Sequence, residues 1–339
     1  MSVAVLRPGM LSTLQDLGRY GMQHVGIVPC GAMDEVSHRI ANALVGNDER
    51  AATLEITLRG PVLDFKHAVL LAMHGAHFHA SVNGQALPRA RPVMLPAGAR
   101  LDCGSARTGC RAYLAVAGGF AVPDVLGSRS TYLPAGFGGF QGRALKAGDI
   151  LMLEEGAWEL AARRAARLRE RGRMENHRGL NTVTWRAADL TLPPEGEIRL
   201  HALDGRHTEL FEEKSVDAFF GAAWRVLPDS NRMGFRLGGP TLVRKSPGEL
   251  LSEPTCLGTV QVPADGAPIV LMADHQTTGG YAKVAEVASA DVSRLAQAAP
   301  GNLLRFGRID LPVADALRGV LENHLAALRR TLAWQYSGS

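Results

Sequence analysis

Cysteine is scarce in this 339-residue sequence, and its four copies stand apart. Cys30, Cys103, Cys110 and Cys256 form no C-x-x-C pair, so zinc-finger spacing and a disulfide framework are both absent. Buried free thiols are the expectation for most of them. Aromatic residues make up only 6%, and none interleave with basic residues as a nucleic-acid surface requires. No apolar run approaches the ~18 residues that a membrane helix needs. The stretch Met1 to Met10 lacks the charged-then-apolar profile of a signal peptide. The expectation is a cytoplasmic protein with neither nucleic acid nor membrane as partner.

Several catalytic signatures are also missing. There is no G-x-x-x-x-G-K-[ST] phosphate loop, no G-x-G-x-x-G after a strand, and no H-E-x-x-H, G-x-S-x-G or EF-hand loop. His74, His77 and His79 come nearest to metal-ligand spacing, but no cysteine or acidic residue accompanies them. They read as partly exposed strand histidines, and no metal site is expected. No M-K-M surrounds a lysine that could carry biotin. If ATP or biotin chemistry takes place here, another chain supplies part of it.

What is present is an ordinary globular composition, 46% hydrophobic and 21% charged, with a length that suggests about two domains. The net charge of +4 is local. Between Trp158 and Arg178 lie Arg163, Arg164, Arg167, Arg169, Arg171, Arg173 and Arg178, against Glu159, Glu170 and Glu175. This segment reads as a solvated helix or linker. It divides the chain into two β-rich halves.

In the first half, short apolar runs (Val3–Leu6, Leu54–Leu58, Val69–Met73, Ala112–Ala117, Ile150–Leu153) alternate with turn signals. Asn83-Gly84 suits a tight hairpin, since both residues tolerate positive φ. One helix interrupts: Asp34 caps it, Val36, Ile40, Ala43 and Leu44 share a face, and Gly46 stops it. Glu55, set between Leu54 and Ile56, faces away from their side of the strand and reads equally as a solvent-facing strand residue or as a site residue. The second half offers strands at Ile198–Leu203, Val260–Val262, Ile269–Ala273 and Leu303–Phe306. Helices are expected across Thr208–Phe220, Asp291–Ala298 and from Pro312 to about Trp334.

Several polar, glycine-rich strings exceed what a packed core requires. They include Gln15-Asp16-Leu17-Gly18-Arg19, Gly31-Ala32-Met33-Asp34, Gly127-Ser128-Arg129-Ser130-Thr131 and Gly138-Gly139-Phe140-Gln141-Gly142-Arg143. Further on come Arg232-Met233-Gly234-Phe235-Arg236-Leu237, Ser252-Glu253, Gly258-Thr259-Val260-Gln261 and Asp274-His275-Gln276-Thr277-Thr278-Gly279-Gly280-Tyr281. Together and in this order they resemble the family of KipA and the 5-oxoprolinase C subunit, also called allophanate hydrolase subunit 2. That family is similar to the biotin-dependent carboxyltransferase domain of urea carboxylase and urea amidolyase. Cys30 stands where serine is common, Pro254 where glycine is common, and Ala282 where proline is common.

The resemblance implies a mainly β fold with a few helices: two cyclophilin-like β-barrel subdomains in tandem. The expected boundaries are 1–157 for the first, 158–180 for the basic linker, 181–311 for the second and 312–339 for a terminal helix. It implies a component of an ATP-dependent amidohydrolase, most simply 5-oxoprolinase, that is inactive alone. The implied partners are a KipI-like B subunit and an A subunit, with ATP and Mg used through the complex. The alternatives are a carboxyltransferase component acting on urea, with biotin carried by another chain, or a non-catalytic regulatory partner.

Such a site must hold phosphates and a substrate carboxylate, which arginines bind in bidentate fashion. Arg19, Arg129, Arg143, Arg232 and Arg236 are the candidates. Gln261, Gln276, Thr277, Thr278, the backbone of Gly279 and Gly280, and Lys283 complete the expected substrate- or phosphate-binding set. Asp274, Glu253 and Tyr281 are the expected catalytic groups. Asp274 reads either as a base or as the group that orients Arg232. The loop from Asp274 to Tyr281 has a second reading, a polar turn whose threonines satisfy their own backbone. On the site reading, Arg232→Ala abolishes activity and leaves the melting temperature nearly unchanged.

Overall fold

The computed structural model describes residues 1–177, 179–192, 196–246, 248 and 250–337. Arg178, the last arginine of the basic segment, lies outside the described residues. The chain forms two compact units. The first comprises Met1–Gly18, Asp34–Leu192 and His324–Ser339; the second comprises Arg19–Met33 and Pro193–Asn323. The architecture is mostly β and includes a closed barrel, as expected.

The first unit builds its core between two antiparallel sheets. One runs in the order Ile150–Met152, Ser2–Arg7, Val62–Phe65, Ala99–Asp102, Ser81–Val82, Gln85–Ala86. Its last two strands form the hairpin expected at Asn83-Gly84, both turn residues having positive φ. The other runs Met174–His177, Leu180–Val183, Val93–Leu95, Val69–Phe78, Ala106–Val116, Thr53–Thr57, Leu11–Gln15. Val3, Leu63, Phe65 and Leu101 of the first sheet meet Leu14, Leu54, Ile56, Met73 and Leu114 of the second. Each such buried side chain contributes about 1.5–3 kcal/mol.

Helix α1 (Glu35–Leu44) packs on the opposite face of the second sheet, against Val69–Phe78 and Ala106–Val116. Asp34 caps it as expected, accepting from Ser37 N at 2.9 Å. This helix changes the reading of Glu55. Alternation along a strand signals a solvated face only if nothing covers that face. Here Glu55 is 1% exposed. It sits opposite Tyr113, whose hydroxyl donates to Glu55 Oε2 at 2.7 Å and accepts from Asp34 N at 2.7 Å. Glu55 therefore anchors the start of α1 to the sheet and does not face solvent. His74 is likewise buried, bonded to Ala188 O, whereas His77 faces Asp189 and His79 is exposed.

Helix α2 (Ala157–Glu170) carries most of the basic segment. Its buried stripe is Ala157, Ala161, Ala165 and Leu168, spaced for one helical face, which leaves Arg163, Arg167 and Arg169 to solvent.

The second unit is a closed barrel in the order Glu197–Asp204, Ala282–Val287, Thr259–Val262, Ile269–Leu271, Gly234–Gly238, Trp224–Val226, Leu303–Arg308. The last strand closes on the first in parallel. Val260, Val270, Leu237, Val284, Leu200 and Phe306 fill the interior. Helix α3 (Glu213–Gly221) covers one side, with Phe219 stacked on Phe306 at 4.7 Å. The expected helix at Thr208–Phe220 is broken. A 3-10 turn occupies Thr208–Leu210, and α3 begins only after Glu212, whose backbone is extended. The reason is Phe211, which is 1% exposed and belongs to the barrel core; seating that ring takes the chain out of helical register. Helix α4 (Ser289–Leu295) packs on Glu197–Asp204, and helix α5 (Leu311–Tyr336) ends the chain.

Candidate functional site

The second unit gathers many of the sequence candidates at one end of its barrel. Strands Gly234–Gly238 and Ile269–Leu271 pair antiparallel, so the residue before one strand meets the residue after the other. Asp274 N donates to Arg232 O at 2.8 Å. The side chains then lock as a fork: Arg232 Nε to Asp274 Oδ2 and Nη2 to Asp274 Oδ1, both at 2.9 Å. Arg232 Nη2 also donates to Gly31 O at 2.6 Å. The two side chains are only 5% and 2% exposed.

Gly31 belongs to the segment Arg19–Met33, which folds onto the second unit. Beside it, Cys30 adopts a left-handed backbone, φ 58°, which is uncommon outside glycine and asparagine. Its thiol donates toward Val28 O and Asp274. Burial first, and then the Asp274 charge, push this thiol up to about 12, although Arg19 and Arg232 pull the other way. Arg19, itself 1% exposed, thus shares the cluster. Cys30 stays a neutral thiol here and is not an activated nucleophile. Three cysteines are buried and Cys256 is exposed. A thiol-exchange reagent is therefore expected to titrate one fast thiol per native chain, lost in Cys256→Ser. Rapid labelling of Cys30 at neutral pH would contradict this.

A second group lies along the loop that leaves Asp274. The strand pair Glu253–Pro254 with Thr278–Gly279 sets Glu253 opposite Gly279. Lys283, whose side chain is 5% exposed, donates to Glu253 Oε2 at 3.3 Å and Pro254 O at 2.8 Å. The Lys283 hydrogen bond, with the charges of Arg206, Lys283 and His207, holds Glu253 below the usual carboxylate range. Glu253 is therefore ionised at neutral pH and a weak proton acceptor; it anchors Lys283.

Gln276 Nε2 donates to Gln261 Oε1 at 3.3 Å. Gln261 is 1% exposed, and its own Nε2 has no partner among the described residues. A buried amide donor left unpaired costs about 1–3 kcal/mol, so it marks a place where an acceptor belongs. A Cβ on Gly279 would lie 2.6 Å from Gln261 Nε2, and one on Gly280 2.9 Å from Leu250 O. These glycines serve close approach. Neither has positive φ, so they form no phosphate nest of the left-handed kind.

Thr277 and Thr278 lie on the same loop, where Thr255 N donates to Thr277 O at 3.0 Å. Tyr281 is 52% exposed. Arg236 is not in this group: it is an exposed residue paired with Asp229 at 3.0 Å. Arg129 and Arg143 belong to the first unit. Arg129 pairs with Glu154 at 2.9 Å. Arg143 makes a bidentate pair with Asp149, both bonds 2.8 Å, and secures its own loop. Ser128 Oγ, Ser130 Oγ, Arg129 N and Gly18 N all donate to Asp16, so the Ser-Arg-Ser string wraps a carboxylate in this unit.

Residue order does not single out Arg206 and His207, whereas Gly31 lies in one of the glycine-rich strings and Cys30 stands where serine is common. The expectation that Arg232 is dispensable for stability gives way to its buried fork with Asp274, because removing either partner strands a buried charge. No group of three or more His, Cys, Asp or Glu among the described residues can hold a metal ion. Arg232 and Lys283 are each already paired with a protein carboxylate, and Gly279-Gly280 offers no phosphate nest.

The fold is that of a mainly β protein with a closed barrel. Residues 25–308 match the family described as carboxyltransferase domain, subdomain A and B, and the chain belongs to that family. Within it the chain groups with the C subunits of 5-oxoprolinase. It is 40% identical to the 5-oxoprolinase C subunit of Escherichia coli over 98% of this chain and 97% of the relative. It is 36% identical to the 5-oxoprolinase C subunit of Haemophilus influenzae over 94% of this chain and 95% of the relative. The urea amidolyase of Lachancea kluyveri is 33% identical over 93% of this chain, which spans 17% of that protein. The crystal structure of the Kluyveromyces lactis urea amidolyase matches with a TM-score of 0.85 at 30% identity, over 96% of this chain and 20% of that one. No helix among the described residues is long and apolar enough to cross a membrane.

Proposed function

We propose that this chain is the substrate-handling component of an ATP-dependent 5-oxoprolinase, which opens 5-oxoproline to glutamate together with a KipI-like B subunit and an A subunit. The observation that carries this reading is the 40% identity to the 5-oxoprolinase C subunit over 97% of that relative. The chemistry of the cluster supports it. 5-Oxoproline presents a carboxylate and, across a five-membered ring, a lactam oxygen. Arg19 brings a guanidinium group suited to the carboxylate, beside the Arg232 fork that Asp274 and Gly31 hold in place. Gln261 Nε2, buried and without a protein acceptor among the described residues, suits the lactam oxygen.

Water adds to the lactam carbonyl, the C–N bond breaks, and the nitrogen leaves as the amine after taking a proton. Negative charge develops on the carbonyl oxygen, where a fixed amide donor helps most. Asp274 holds Arg232 in position and is not the base, since both its oxygens are engaged. Lys283 faces the new carboxylate, with Glu253 fixing its ammonium. ATP, bound through the complex in a cytoplasmic assembly, would supply a phosphoryl group to the amide oxygen, with ADP leaving and inorganic phosphate released as the new carboxylate forms.

Coexpression with candidate partner chains tests the reading through ATP-dependent release of glutamate from 5-oxoproline. The complex is expected to turn over, and the lone chain to show no 5-oxoproline-dependent ATP hydrolysis. Robust turnover by the lone chain, or an assembled complex inert to 5-oxoproline, refutes it. The structural match to urea amidolyase favours one second reading, carboxyl transfer to urea from biotin on another chain. Urea-dependent, avidin-sensitive activity of the complex identifies that case.

A further inference from the structure

We propose that the first unit carries a separate anion site, an arginine-lined cleft that binds a polyphosphate, either inorganic or as the phosphate tail of a nucleotide. It shares no residue with the cluster above and stands independently of the 5-oxoprolinase reading. The C-terminal end of α1, the basic face of α2 and the last turns of α5 enclose a cleft of about 640 Å³, within the size range of small-molecule sites.

Five arginines line it (Arg39, Arg163, Arg164, Arg167 and Arg329), against two carboxylates, Asp48 and Glu49. Arg39 and Arg329 share Glu49, at 3.2 and 2.8 Å. Arg164 is the floor. It donates to Val45 O and Gly46 O at 2.5 Å and to Asn47 Oδ1 at 3.1 Å. These contacts satisfy the terminal carbonyls of α1 and offset the negative end of its dipole, which would otherwise repel an anion. Tyr336 closes the wall, its hydroxyl donating to Leu44 O. The wall is tight: a Cβ on Gly46, whose φ is +73°, would lie 3.0 Å from Arg164 Nε and from the Tyr336 ring.

Two guanidinium groups remain at the rim. Arg163 is exposed and makes no hydrogen bond or ion pair among the described residues. Among the described residues Arg167 pairs only with exposed Glu170, at 3.1 Å, a contact that an incoming anion displaces at little cost. A monoanion would leave most of this positive surplus unmatched. A polyphosphate offers several charges and the oxygen geometry that guanidinium forks prefer. The basic segment that stands out in the sequence thereby has a role beyond solvation.

Calorimetric titration of the full chain at low salt, with pyrophosphate, ATP and AMP as separate probes, tests the site. Pyrophosphate or ATP is expected to bind, with AMP at least about tenfold weaker because fewer charge-assisted bonds form. Equal affinities for pyrophosphate and ATP identify the inorganic group as the ligand; tighter ATP identifies a nucleotide. The double variant Arg163→Ala/Arg167→Ala keeps two good helix formers at exposed positions, so its melting temperature should match the parent while affinity falls about tenfold or more. Arg169→Ala, on the same helix but outside the cleft, should bind within about twofold of the parent. No binding of pyrophosphate or ATP, no change in the double variant, or an equal loss in Arg169→Ala overturns the proposal.

Discussion

Replacing Arg232 by alanine is expected to lower the unfolding free energy by about 3–5 kcal/mol, because it leaves the Asp274 carboxylate buried without its partner. The side chains are 5% and 2% exposed, so solvent screening recovers little of the loss. Asp274→Ala should cost a similar amount. Arg232→Lys should not rescue, since an ammonium cannot span both Asp274 oxygens and Gly31 O as the guanidinium fork does. The double variant Arg232→Met/Asp274→Leu should recover most of the stability, because apolar side chains need no compensation for lost hydration. Urea unfolding of all four variants checks this. A loss below about 1 kcal/mol in Arg232→Ala, the range of an exposed pair, would show that the fork does not hold in solution.

Gln261→Leu is expected to show the opposite pattern. It removes a buried amide donor that has no protein partner among the described residues, and forfeits only the 3.3 Å bond from Gln276. Stability should hold steady or rise by about 1 kcal/mol. Turnover of 5-oxoproline by the assembled complex should nevertheless fall about 100-fold or more, the scale of a lost donor to a developing oxyanion. A structural glutamine would behave otherwise, losing stability with turnover unchanged. Urea midpoints beside kcat for the same variant separate the two outcomes, and full activity in Gln261→Leu removes Gln261 from the proposed substrate contacts.

Much of the local structure is legible from residue order. Asp34 caps α1 through its own side chain, Asn83-Gly84 turns a hairpin, and the apolar runs form strands near their expected positions. These features depend on dihedral preferences and on neighbours a few residues away, which adjacent letters encode. The departures share one cause. Strand alternation puts Glu55 in solvent because it is blind to α1 lying over that face of the sheet. The helix expected over Thr208–Phe220 breaks because the barrel core claims Phe211. Both outcomes are decided by elements distant in sequence.

The site divides along the same line. The loop from Asp274 to Tyr281 stands out by composition, and so does Arg232. Nothing in the linear order distinguishes these from Arg143 and Arg236, which carry the same charge beside similar glycines. In the structure Arg143 meets Asp149 and Arg236 meets Asp229, each a nearby carboxylate that occupies the guanidinium locally. Arg232 meets Asp274 across a strand pair and Gly31 from a segment about two hundred residues earlier.

Residue order by itself determined the family, the mainly β character, the helix caps and turns, and the pool of charged candidates, since each follows from side-chain identity and short-range geometry. Only the tertiary structure decided which charges are buried together, that Gly279 is small to make room for Gln261, and that scattered arginines enclose a cleft. Desolvation and charge pairing depend on what surrounds a group in space, and barrel closure sets those surroundings.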